Sequence, residues 1–186
     1  QLLVLLRAIR DSGVELESLN QARGDGEAGN EVSQLMETAG RAFREQRYFD
    51  AAGVYRTVQT LEPAHTMARV GQLHSELAAG MFRSAGRTLR QLAADRPELL
   101  GTQYGQAVLP PRERMLGVQQ QLLDLLGFSG EPDAGLLLAY LGYQGDAQRL
   151  VRYGLNLAQS RAPQDPLIPL LAAVWLEQDD AAKAVK

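Results

Sequence analysis

The chain has 186 residues, 45% of them apolar and 22% charged, with a net charge of −3, which is the composition of a folded chain long enough to bury a core. It contains no cysteine and two histidines, His65 and His74, so a disulfide framework, a thiolate metal site, a cysteine nucleophile and a histidine-rich metal centre are all excluded. Helix formers dominate, and the small net charge argues against a polyanion binder.

In chain order, residues 1–31 open with an apolar helical stretch (Leu2, Leu5, Leu6, Ile9) and a second one over Val14–Gln21, followed by a Gly-rich loop, Arg23–Asn30. Asn30, with Glu31 after it, is expected to cap a helix running to about Gln46. Residues 32–97 read as four antiparallel amphipathic helices. Pro63 and Pro97 stop helices, because proline lacks the N–H and clashes with the preceding turn. Residues 98–131 break the pattern: Gly101, Gly105 and Pro110-Pro111 make Leu100–Pro111 irregular, and a helix follows over about Arg112–Leu126. Residues 132–186 return to the regular pattern, with further stops at Pro163 and Pro166. No apolar run approaches the roughly 18–20 residues that span a bilayer. The chain starts at Gln1 and ends at Lys186 within a helical pattern, which reads as a fragment.

The regular parts repeat every 34 residues. Pro63 and Pro97, Ala51 and Ala85, and Arg56 and Arg90 stand one period apart. So do Pro132 and Pro166, Leu136 and Leu170, Leu137 and Leu171, Ala139 and Ala173, Gln144 and Gln178, Asp146 and Asp180, and Ala147 and Ala181. This period, with Ala51, Tyr55, Val58 and Pro63 in one copy and Gly80, Phe82, Ala85, Leu89, Leu92 and Pro97 in the next, resembles the tetratricopeptide repeat. Leu137, Leu141 and Gly145, then Leu171, Ala172, Trp175 and Ala184, continue it. Thr38, Gln72 and Leu150 depart from the family's preferences. The resemblance implies an all-α, right-handed α-α superhelix with one irregular insert: two repeats over 32–97, a degenerate one over 98–131, and a full and a truncated one over 132–186. Neither helix of such a unit buries its apolar face alone, so units stack and share a core. Trp175 is expected inside it.

Chemistry-bearing motifs are few. Gly24–Gly29 spells G-x-G-x-x-G, but the preceding residues are polar and helical, and Asp25 and Glu27 would face the phosphates, so no dinucleotide site is expected. Arg23-Gly24-Asp25 matches an integrin-ligand tripeptide and reads as a loop. Arg83, Arg87 and Arg90 share a helix face that reads as solvated, without the aromatic interleaving that nucleic acids favour. His65 is expected to face water and His74 to line a groove or cap a helix; His74 and Glu76 point in different directions on one helix. The acid pairs Glu131/Asp133 and Asp179-Asp180 read as turn and cap residues. No catalytic set, cofactor or metal is therefore expected.

The resemblance implies a scaffold that binds a protein or peptide partner on a concave surface built from the first helix of each unit. Carried over by position, its groove residues are Met36, Glu37, Phe43 and Arg44, then Met67, Val70, His74 and Leu77, then Leu136, Ala139 and Tyr143, then Leu170, Leu176 and Glu177. The carboxylate clamp of the chaperone-binding subclass is missing, since Met36 and Gly40 hold its first two positions. Tyr104 belongs to the irregular segment, which either shapes this groove with Met67, His74 and Tyr143 or merely covers apolar helix surface. The alternative function is an accessory or regulatory domain of a larger enzyme or cell-envelope assembly.

Overall fold

The computed structural model describes residues 27–128 and 131–183, which form eight α-helices and, among the described residues, no strand. Four helices occupy the first regular stretch: α1 (Glu27–Arg44), α2 (Tyr48–Leu61), α3 (Thr66–Ala78) and α4 (Phe82–Asp95). After a 3-10 turn over Pro97–Gly101 and an irregular stretch come α5 (Arg112–Phe128), α6 (Pro132–Gln144), α7 (Gln148–Arg161) and α8 (Leu167–Lys183). The N-terminal helical stretches, the Arg23-Gly24-Asp25 tripeptide and Ala184 lie outside the described residues.

Two local expectations need correction. Asn30 does not cap α1, which already begins at Glu27 and so takes in the end of the Gly-rich loop; the Asn30 side chain instead accepts a hydrogen bond from Gln34 Nε2 at 3.4 Å. Asp179 and Asp180 are not at a turn either, because α8 runs on to Lys183. Where Asp146 ends its helix, the Asp180 one period later continues one.

The helix ends alternate between two kinds, with the 34-residue spacing kept between Gln46 and Gly80 and between Glu62 and Arg96. α1, α3 and α6 each close on one left-handed residue: Gln46 (φ 60°), Gly80 (φ 75°) and Asp146 (φ 53°). In each case the next amide reaches back to a carbonyl five residues earlier: Arg47 to Ala42 at 2.9 Å, Met81 to Glu76 at 2.8 Å and Ala147 to Gly142 at 2.8 Å. This satisfies carbonyls that a helix end leaves bare, and glycine takes the conformation at least cost. α2, α4 and α7 end differently, on the non-helical residues Glu62, Arg96 and Ala162, each followed by a proline. The residue before a proline is pushed out of the helical region, so the stop is built into the sequence.

Side chains form two apolar cores. The smaller joins α1, α2 and one face of α3 through Ala39, Phe43, Tyr48, Ala51, Tyr55, Val58 and Ala68. The larger runs from the other face of α3 (Val70, Leu73, Leu77) through Ala85 and Leu89 of α4 to Trp175 of α8. As expected, Ala51, Ala85 and Trp175 are wholly buried. The closest crossing is α6 on α7. A methyl group added to Gly154 would stand 2.6 Å from the Ala139 amide nitrogen, and one on Gly135 2.8 Å from the Gly154 carbonyl. Only glycine permits backbones to approach this closely.

α6 also packs on α4, so the chain returns to the helix it left. Gly86 lies against Asp133, leaving no room for a side chain. Arg90 bonds Asp133 (2.5 and 2.8 Å) and Asp165 (2.6 Å), and Arg83 pairs with Glu131 at 3.0 Å. Arg90 is thus not a solvated face residue, and Asp133 is not merely a turn acid: together they bolt the two regular stretches to each other. Arg90 holds the Asp165 carboxyl below its usual range. Between these two touching helices the chain makes an irregular excursion, residues 97–111, followed by α5.

Candidate functional site

The excursion lies on the first helices, and side chains from three of them bind its backbone. Trp175 Nε1 on α8 donates to the Leu100 carbonyl at 2.7 Å. On α6, the Tyr143 hydroxyl donates to Gly101 O at 2.6 Å, while the Gln144 amide accepts from Tyr104 N at 2.9 Å and donates to Thr102 O at 3.0 Å. Gln103 Nε2 returns a bond to Tyr143 O at 3.0 Å. On α3, His74 Nδ1 meets the Val108 carbonyl at 2.6 Å, and Nε2 meets the Tyr140 hydroxyl at 2.7 Å. A carbonyl only accepts, so Nδ1 carries the proton and the Tyr140 hydroxyl donates to Nε2. An irregular segment could not be buried here without this pairing of its backbone groups.

Aromatic rings fill the space behind these bonds. His74 meets Tyr104 edge-on at 5.2 Å and Tyr140 in a stack at 5.9 Å, and Tyr143 stacks on Trp175 at 5.7 Å. Burial holds His74 neutral, with its pKa lowered to about 4 despite the opposing bond to Val108, and pushes the Tyr140 and Tyr104 hydroxyls up.

This arrangement redistributes the residues expected to line a groove. Val70, His74, Leu77 and Tyr143 are at most 2% exposed and belong to the core, as do Leu136 and Ala139. The excursion covers His74 and Tyr143, whereas Ala139 lies against Gly154 of α7. Met36 and Met67 are half-buried, and Met36 packs on the smaller core. Glu37 is exposed and pairs with Arg41 at 3.0 Å. The side chain of Glu177 lies outside the described residues. His65 is the capping histidine instead: its Nδ1 accepts from the Ala68 amide at 3.1 Å at the start of α3.

Phe43, Arg44 and Tyr104 do come together, at an open cleft of about 930 Å³. One wall is the C-terminal end of α1, with Phe43 and Arg44; the second is Tyr104–Pro111 of the excursion; the third is Arg112, Met115, Leu116 and Gln119 on α5; and the turn after α6 closes the end with Gln144, Gly145 and Ala147. Leu116, 54% exposed, is one of few large apolar side chains the molecule leaves bare. Arg114, beside this wall, donates to the last carbonyl of α3, Ala78 O, at 2.6 Å, and fixes where α5 begins.

Of these, sequence reasoning missed Leu116, Gln119 and Gln144. Only Gln144 carried a signal, its identity with Gln178 one period on. A smaller cleft of about 420 Å³ lies among α2, α3 and α4. At its floor the buried Glu76 accepts from Thr88 Oγ1 (2.7 Å), Gln72 Nε2 (2.9 Å) and Arg56 (3.3 Å), so its carboxylate is already engaged. Among the described residues no cluster of His, Asp or Glu is arranged to hold a metal ion, and no helix is long and apolar enough to cross a membrane. Comparison with family models, with curated proteins and with solved structures finds no match.

Proposed function

We propose that this chain is a tetratricopeptide-like interaction scaffold, without catalytic activity of its own, whose protein or peptide partner docks in the cleft between α1, α5 and the excursion. The 34-residue spacing between the helix ends at Gln46 and Gly80, and between those at Glu62 and Arg96, supports the family reading, and with it a superhelical stacking of the pairs. The observation that carries the binding reading is the cleft itself. It is a large concavity, it joins three separate elements, and it keeps Leu116 exposed beside Met115 and Pro110, where burial by a partner would recover the apolar area.

The partner surface is smaller than the repeat pattern implies, because the excursion occupies the face of α3, α6 and α8. A random dodecapeptide display library panned on the whole chain tests the reading. Sequences that enrich on the chain and lose about fivefold or more in affinity on Leu116→Ser support it. Enriched sequences that bind Leu116→Ser equally well place the partner elsewhere, and the reading fails.

A further inference from the structure

The charges around the cleft say what chemistry the partner presents. The chain as a whole is acidic, with a net charge of −3. Yet the charged residues lining the cleft are two arginines, Arg44 and Arg112, and no Asp or Glu lines it. Seven arginines elsewhere, Arg41, Arg47, Arg56, Arg69, Arg83, Arg90 and Arg96, each pair with a carboxylate. Among the described residues neither Arg44 nor Arg112 forms an ion pair, and both are exposed. They come from different elements, the last turn of α1 and the first residue of α5, so no local sequence pattern brings them to one cleft. Glu113 and Asp146 flank the cleft without lining it. At Arg112 the N-terminal end of a 17-residue helix adds its partial positive charge.

The shape of the walls points the same way. The excursion's own backbone is held extended by the amide of Gln144, which takes one N–H and gives to one C=O. Two more amides, Gln106 and Gln119, line the cleft. Gly105 has nothing within 4 Å of where a Cβ would stand, so a second backbone has room to approach it.

We propose that the cleft takes an extended acidic segment of a protein partner, with a bulky apolar side chain against Met115 and Leu116 and a flanking Asp or Glu on Arg44 and Arg112. This rests on the cleft being the partner site. The deciding measurement pairs the dodecapeptide panning with titration of the enriched sequences, as synthetic fluorescent peptides with amidated ends, into wild-type chain and three variants. Enriched peptides should carry Asp or Glu within a few positions of a bulky apolar residue. Arg44→Gln and Arg112→Gln should each weaken binding about fivefold, and the double variant more than tenfold, at unchanged melting temperature; added salt should weaken binding to wild type more than to the double variant. Enriched peptides that need Leu116 but show no acidic bias, and that bind the arginine variants as tightly as wild type, overturn this inference and leave the cleft as the partner site. Peptides indifferent to Leu116→Ser overturn both.

Discussion

The two ends of the first-helix face are finished in opposite ways. Around α3, α6 and α8 the face is covered: His74, Tyr143, Gln144 and Trp175 spend their polar atoms on the backbone of residues 100–108. At the end of α1 it stays open, and Phe43 and Arg44 look across a cleft at α5. Both ends belong to the same kind of helix, capped in the same way at Gln46 and Gly80. The difference comes from the excursion, which is long enough to cover one part of the face and stops short of the other.

The closed end should be the costlier one to disturb. Trp175→Ala removes the largest wholly buried side chain and leaves the Leu100 carbonyl without its donor. It should lower stability by about 3–5 kcal/mol in urea unfolding. A loss under about 1 kcal/mol would mean that the excursion is not docked there.

Acid should act on the same end. His74 is neutral in the fold with a pKa near 4, against 6.5 for an exposed histidine. Between those values the unfolded chain binds a proton that the folded chain refuses, so stability is complete above about pH 6.5 and falls as pH drops toward 4. The shift corresponds to about 3 kcal/mol. His74→Gln, which retains a donor and an acceptor, should flatten the dependence in that window; an unchanged slope would assign it to other groups. Asp165, with its carboxyl held low by Arg90, responds in a separate window below its usual range.

Ala85→Leu probes the regular packing beneath both ends. It overfills a wholly buried position on α4 and should cost about 1–3 kcal/mol in thermal or urea unfolding. No loss would mean that the repeat phase assigned to α4 is wrong. The smallest effect belongs to the open end: Leu116→Ser should change stability by about 1 kcal/mol at most, since the side chain is half-exposed. A larger loss would show that the cleft wall is a structural support.

Much of this was legible in the residues. The helices over 32–97, the break at 100–111, the helix from Arg112 and the stops at Pro63, Pro97 and Pro163 all follow from local rules, because prolines, glycines and apolar periodicity act within a turn or two of themselves. The burial of Ala51, Ala85 and Trp175 follows too, since the period assigns each a place in the stack. Asn30 misled because a capping residue marks a helix start only where the residues before it refuse the helix, and Glu27–Gly29 accept it.

Which of the expected groove residues stay exposed was decided by tertiary structure alone. Position within a repeat puts His74 and Tyr143 on a groove, and nothing near them in the chain says that residues 100–108, up to about 40 positions away, will lie on top. Equal or greater distance in the chain hides the Arg90 bridge to Asp133 and Asp165, and the meeting of Phe43 and Arg44 with Arg112 and Leu116. Local sequence sets how each helix begins, ends and turns its apolar face. The path of an irregular segment is set by where buried carbonyls and amides find partners, and those partners stand on helices that the chain has yet to bring together.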